Sequence, residues 1–493
     1  MTSTPTEATS ADATQTPAPH RGPDWSASSG YRHRWKVLGV VLVADVMDLV
    51  DATVANLAGP SIRRDLGGTE STLQWVLAAY TLTFAVGLVV SARAGDLLGR
   101  RRMFLTGMAG FTLASLLCGL APEADWLVAA RVAQGFFGAV MIPQGLALVK
   151  QSFTADDLQK AFIPFGPVMG LSAVLGPILA GVLLDADLFG TGWRMVFLIN
   201  LPIGVVAWWF AFRFLPREQP AGRAGRLDPV GSVLLTSASA ALIYPLVQGH
   251  ELGWPAWTFG LMALSAVLFG LFTLSERRTA HPVIEPSLFR NRGYVAGLLF
   301  LLTFFVAMTG FMLVFNLFAQ IGLGYGPLDA GLVLTPWAVG IAVGAGLSGA
   351  MLGPRFGRPV LQAGLVVLSL AMVGLWWTID HAGPSVSGWA FAPTLFVGGV
   401  GCGLIFAPLF DIILADLGDD EVGTGSGLLT AVQQFGGAVG VAVLGTIFFE
   451  LVPGDGFAGA TGTVVWVSLG CYALSFAAAF LLPRRAREGA IAH

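Results

Sequence analysis

Three aspartates, Asp45, Asp48 and Asp51, lie three residues apart inside one long apolar run of the chain. On a helix that spacing keeps them along one drifting stripe, within roughly 9 Å of axial rise. An ionised carboxylate at membrane depth costs on the order of 3 kcal/mol, so such a residue faces a cavity or a charged partner. A carboxyl group shielded from bulk water yet able to reach it is suited to picking up and releasing a proton. Two readings follow for each acid: it carries a coupling proton and attracts a cationic substrate when ionised, or it belongs to a structural ion pair. Asp45, nearest the start of the run, also suits a water-accessible inner-end position. Arg131 is the one basic residue well inside an apolar run. A guanidinium cannot neutralise itself, so an acid of the first run is its expected partner, for proton transfer or as a fixed salt bridge.

The elements that must position these groups are fourteen apolar runs: 37–59, 73–92, 103–121, 126–149, 160–184, 194–215, 230–249, 256–274, 294–319, 329–352, 359–379, 389–413, 423–449 and 461–482. Most carry about the 20 residues that cross a hydrocarbon core of roughly 30 Å. The 493 residues are 55% hydrophobic and 12% charged, a balance that excludes water-soluble globular classes and predicts an all-α polytopic membrane protein. Placing the N-terminus inside puts 23 of the 27 Lys and Arg on the cytoplasmic side, which predicts that both termini are cytoplasmic. The loop 414–422 is acidic though placed inside, but acids weigh little in this rule.

Residues 1–35 read as a disordered cytoplasmic tail, 36–215 as a six-helix bundle, and 216–293 as linkers around a two-helix insert. A second six-helix bundle occupies 294–482 and a short tail 483–493. The division rests on an echo between two inner links, Gly95-Asp96-Leu97-Leu98-Gly99-Arg100-Arg101-Arg102 and Gly353-Pro354-Arg355-Phe356-Gly357-Arg358. Each follows the second helix of a six-helix set. Parallel repeats of this kind hold a substrate near the midplane between them. Cys118, Cys402 and Cys471 offer neither a disulfide framework nor a metal-ligand spacing. No phosphate-binding Gly-x4-Gly-Lys signature or catalytic domain is present, so neither ATP nor an enzyme activity is expected. The basic residues track the membrane surface, which leaves no nucleic-acid role.

Several motifs, taken in order, carry a family resemblance. Asp51-Ala-Thr53-Val-Ala-Asn56-Leu-Ala-Gly-Pro60 opens the series in helix 1, and Asp96-Leu-Leu-Gly99-Arg100-Arg101 follows in the 2–3 loop. Arg131-x-x-Gln134-Gly135 lies in helix 4 and Gly170-x5-Gly176-Pro177-x3-Gly181 in helix 5. Trp193-Arg194-x-x-Phe197-x-x-Asn200-x-Pro202-x-Gly204 and Gln433-Gln434-Phe-Gly436-Gly437 complete it. With fourteen spans, the chain resembles the drug/proton antiporter branch of the major facilitator superfamily. The 2–3 loop departs from the family pattern at Ala92 and Leu97. The resemblance implies the major facilitator fold, an inner cell membrane of the bacterial type, no cofactor beyond a proton gradient, and a monomer in the lipid bilayer. It implies proton coupling at Asp51 with Arg131, and gating by Asp96, Gly99, Arg100 and Arg101 against the N-terminal end of a helix in the other half. It also implies that Gly170, Gly176, Pro177 and Gly181 shape the helix 5 contact with that half.

The expected function is proton-coupled export of amphiphilic, cationic small molecules such as drugs and antibiotics by alternating access. Uptake of a nutrient by proton symport and export of a single self-made natural product are the alternatives. Besides Asp51 and Asp48, the expected substrate contacts are Asn56, Gln134, Asn316, Asp411, Gln433 and Gln434. Met308, Phe311, Met312 and Phe315, in an aromatic and Met-rich stretch with Phe304 and Phe305, would offer an adaptable apolar surface. The same residues also suit packed helix faces.

Overall fold

In a computed structural model of the chain, residues 31–67, 69–154, 157, 161, 165–187, 190–217, 228–279, 286–381, 386–418 and 421–485 are described, and every regular element among them is helical. The first half comprises α1 (Arg34–Leu66), α2 (Glu70–Leu98), α3 (Arg100–Gly119), α4 (Ala124–Ser152), α5 (Phe165–Asp185) and α6 (Gly192–Phe214). The insert is α7 (Pro229–Gln248) and α8 (Ala256–Arg278). The second half begins with α9 (Arg292–Gly322), α10 (Pro327–Phe356), α11 (Arg358–His381) and α12 (Ala392–Ile413). A last helical stretch, Val422–Ala479, turns at Gly456, where φ is 69°, giving α13 (422–455) and α14 (457–479).

Eleven helical stretches among the described residues are long and apolar enough to cross a membrane, and the longest holds both α13 and α14. With α1, whose charges set it apart, and α5, the order is the fourteen-span one expected. Helices are the natural answer here, since lipid offers no partner for an exposed N–H or C=O.

Each of the two links turns at a positive-φ glycine. Gly99 (φ 95°) and Gly357 (φ 63°) each turn the chain from the second helix of a half into the third, in a conformation that favours glycine. Arg101 donates to the Phe212 carbonyl at 2.7 Å, closing the last turn of α6. Arg358 donates to the carbonyls of Phe480 (2.7 Å) and Leu482 (2.9 Å), just past α14. A cation at the C-terminal end of a helix satisfies both orphan carbonyls and the helix dipole. The weak sequence echo is therefore a repeated structural device.

The halves meet unevenly. One core cluster holds residues of α9 to α14 and another those of α1, α3, α4 and α6 toward the Lys/Arg-rich end. The cluster shared most extensively lies toward the arginine-poor end, where Val54, Leu57, Ala58 and Leu73 pack with Leu313, Leu317, Val441 and Leu444. The insert joins this side, with α7 packed on both α2 and α13.

Candidate functional site

Arg131, Gln134, Gly135 and Gly138 fall on one buried face of α4, at helical spacings of three and four. Gly135 is required there, because a Cβ would stand 2.3 Å from the Tyr80 carbonyl oxygen. The close approach of α4 to α2 lets Arg131 Nε donate to the Val76 carbonyl at 3.0 Å. Its guanidinium carbon lies 4.2 Å from the centre of the Tyr80 ring. The other side of the guanidinium meets the middle of α1: Nη1 donates to Asp51 Oδ2 at 2.5 Å and to Gln134 Oε1 at 2.7 Å.

Asp51 Oδ1 accepts from Gln134 Nε2 (2.8 Å) and from Asn200 Nδ2 (2.9 Å) at the start of the main α6 helix. Ser115 of α3 accepts from the same Gln134 nitrogen at 2.8 Å. Asp51 and Arg131 are each 1% exposed, and five helices of the first half contribute to a dry ion pair. Every partner of Asp51 is a donor, the arrangement that suits a carboxylate. Below it, Asp48 accepts from the Tyr80 hydroxyl, so Tyr80 touches one acid with its hydroxyl and the arginine with its ring. Asp45 is buried and makes no hydrogen bond to another described residue.

Sequence reasoning paired Arg131 with a helix 1 acid, and the geometry selects Asp51. It gave no role to Ser115, Tyr80 or Asn200. Asn200 is the one amide inside its apolar run, a signal that could have found it; nothing local marks Ser115 or Tyr80.

One polar contact between the halves is built around Pro60. Proline has no N–H, so the Asn56 carbonyl four residues earlier lacks its helical donor. Asn316 Nδ2 of α9 supplies one at 2.9 Å. A π-helical turn at Phe318–Gly322 brings Gln320 alongside, where Nε2 donates to the Leu57 carbonyl and to Asn316 Oδ1, both at 2.9 Å. Asn316 is thus a contact between halves in this conformation, while the Asn56 side-chain oxygen is buried without a partner among the described residues. On α2, Gln74 Oε1 accepts from Thr446 of α13 at 3.4 Å.

The α5 glycines divide their work. Gly176 faces Thr53 of α1, whereas a Cβ on Gly181 would lie 2.6 Å from Leu328 Cα of α10. The Pro177 carbonyl in turn fits against Gly331. Gly181→Val is expected to force α5 and α10 apart at a cost of about 1–3 kcal/mol. Transport by reconstituted protein should fall accordingly; a wild-type rate would show that closure does not need this contact.

The remaining expected site residues are scattered. Phe304, Phe311 and Phe315 are buried within the second half, against Tyr472, Trp337 and Phe391 respectively, rather than forming an open ligand surface. The stripe 304, 308, 311, 315 has the spacing of a packed helix face, and Met308 and Met312 flank that core half-buried. Gln433 and Gln434 are half-buried on α13, and Asp411 is exposed at the Lys/Arg-rich end of α12. Asp96 ends α2, but its side chain, like the surroundings of Gly170, lies outside the described residues. Arg101 caps α6 of its own half, and Arg100 starts α3 beside it.

A family model described as Major Facilitator Superfamily matches residues 41–441. The chain belongs to the Major Facilitator Superfamily. Among curated relatives, the "Probable actinorhodin transporter" of Streptomyces coelicolor is 51% identical over 91% of this chain and 78% of its own length. The "Puromycin resistance protein pur8" of Streptomyces alboniger is 36% identical over 84% and 82%. Among solved structures, a peptide transporter POT in complex with sulfate superposes with a TM-score of 0.66 at 13% identity, over 90% of this chain and 94% of the other, which shows the shared fold. The protein is a multi-pass membrane transporter of this superfamily.

Proposed function

We propose that this major facilitator protein exports amphiphilic, cationic small molecules of the antibiotic type from the cytoplasm in exchange for protons. The observation that carries the reading is the dry cluster of Asp51, Arg131, Gln134 and Asn200, with Asp48 and Asp45 continuing the acid stripe along α1. The Lys/Arg-rich end is assigned to the cytoplasm by the positive-inside rule. The conformation described then has its halves joined on the outside, by the Asn316 and Gln320 bonds and the α5–α10 seam. On the cytoplasmic side α4 and α12 share no extensive packing surface among the described residues.

In this cycle the ionised acids of α1 attract a cationic substrate from the cytoplasm. The halves rock to face outward, and a proton from outside neutralises an acid of the stripe. Protonation of Asp51 would remove the charge that holds Arg131 and free the guanidinium to shift, while the substrate loses its counter-charge and leaves. Release of the proton inside resets the site. Each charge moved down 100 mV supplies about 2.3 kcal/mol. Relatives named for transport of actinorhodin and resistance to puromycin support the export direction. The higher identity to the actinorhodin-named relative favours a pump dedicated to one natural product as a second reading.

The insert supports the outward seal. Glu251, in the turn between α7 and α8, accepts from the Ser71 backbone N–H (2.7 Å) and hydroxyl (3.0 Å) in the first turn of α2. Five residues earlier, on α7, the Leu246 carbonyl accepts from Thr446 of α13 at 2.8 Å. The hairpin therefore ties the outer ends of two helices that must part when the pump faces outward. Losing such an N-terminal cap costs about 1 kcal/mol, so Glu251→Ala is expected to shift the population toward the outward-facing form roughly fivefold. Spin labels at Arg64 and Ile321 would report this as a longer distance; an unchanged distribution would remove the insert from the gate.

Uptake by everted vesicles, across a panel of dyes and antibiotics with and without an uncoupler, tests the function. Uncoupler-sensitive accumulation of several cationic compounds is the expected result, and accumulation of one compound alone supports the dedicated reading. Accumulation that the uncoupler leaves untouched would overturn proton exchange.

A further inference from the structure

We propose that a groove between α1 and α6, at the Lys/Arg-rich end, binds one anionic diacyl phospholipid of the cytoplasmic leaflet. The groove has a volume of ≈ 660 Å³, and its walls are apolar, formed chiefly by Val43, Ile203, Val206 and Phe210. These four side chains are 38–55% exposed and point into the surrounding bilayer. The groove exists because Gly39 puts no side chain into it: a Cβ there would meet no atom within 4 Å. Hydrocarbon chains fill such a space in any membrane; the charge at its mouth decides which headgroup sits above them.

Among the described residues Lys36 is the one charged residue lining the groove, and it stands near the start of α1. Its Nζ lies 4.2 Å from the centre of the Phe214 ring, and the Arg213 guanidinium carbon lies 5.8 Å from the same ring. Two cations thus lie near one aromatic ring, which attracts cations without neutralising them. Among the described residues neither is paired with a carboxylate. Asp157, an acid of this end, is paired with Arg34 at 3.0 Å. A phosphodiester with acyl chains in the groove would meet both cations at headgroup depth. Basic residues between helices on the cytoplasmic side are the recognised setting for anionic headgroups.

The test uses the purified full chain in phosphatidylcholine nanodiscs, titrated with phosphatidylglycerol and read by native mass spectrometry of retained lipid. The wild type is expected to retain one phosphatidylglycerol at least about tenfold more strongly than phosphatidylcholine, given two uncompensated cations. Lys36→Gln combined with Arg213→Gln should remove that preference and leave phosphatidylcholine retention unchanged. Gly39→Phe should fill the groove and reduce both lipids. Should Gly39→Phe fail to fold by circular dichroism, Val206→Trp on the opposite wall makes the same test. Equal retention of the two lipids by the wild type would overturn the proposal, as would full phosphatidylglycerol retention in both variant sets. Displacement of the lipid by ethidium would assign the groove to exported compounds and overturn it equally.

Discussion

Asp51→Asn is expected to abolish uphill export while the protein still inserts and folds. The asparagine is nearly isosteric, and its amide oxygen can still accept from Gln134 and Asn200, which now reach Oδ1 at 2.8 and 2.9 Å. What it cannot supply is the charge opposite Arg131 Nη1, or a group that titrates. Breaking one partner of a buried pair costs about 3–5 kcal/mol. The lower end applies here, because Arg131 keeps the Val76 carbonyl, the Gln134 oxygen and the face of Tyr80. Everted vesicles containing the variant should let substrate equilibrate down its own gradient. They should show neither concentrative uptake nor a substrate-induced proton flux. Asp48→Asn, whose oxygen would still accept from Tyr80, should do less damage. Full concentrative transport by Asp51→Asn would take the coupling proton away from this acid.

How far the sequence revealed this site depends on the kind of interaction. The spans were legible, because membrane insertion writes long apolar runs directly into the chain. The Asp51–Arg131 pair was legible for the same reason: two opposite charges in hydrocarbon have few other solutions. The echo at Gly99 and Gly357 was visible as composition, whereas the capping of α6 and α14 by Arg101 and Arg358 needed the coordinates. Pro60 could be read as a kink, yet only the fold shows that the freed Asn56 carbonyl is met by Asn316 from 260 residues away. The aromatic stretch of α9 left two readings open for a physical reason. Packing inside a bundle and lining a ligand cavity both select Phe and Met at helical spacing, and Phe311 and Phe315 took the first role. The bonds from Glu251 and Leu246 of the insert were invisible, since they join segments with no shared pattern.

Arg131→Ala, set beside Arg131→Lys and the double variant with Asp51→Asn, separates the two roles that the pair can play. Alanine leaves the Asp51 carboxylate at 1% exposure with two amide donors and no counter-charge. About 3–5 kcal/mol of stability should go with it. Lysine restores the charge but not the planar fork that reaches Val76, Asp51 and Gln134 together, and it loses the flat contact with Tyr80. It should recover much of the stability and little of the transport. In the double variant the unpaired charge is gone from both sides, so stability should return toward wild type. Its departure from additivity should exceed about 1 kcal/mol, as expected for residues in direct contact. Thermal unfolding in detergent measures that coupling, and concentrative uptake by everted vesicles measures the function. A stable double variant that cannot drive uptake assigns the pair to the engine. A double variant that pumps normally would reduce Asp51 and Arg131 to scaffolding, and the coupling proton would have to ride on Asp48 or Asp45 instead.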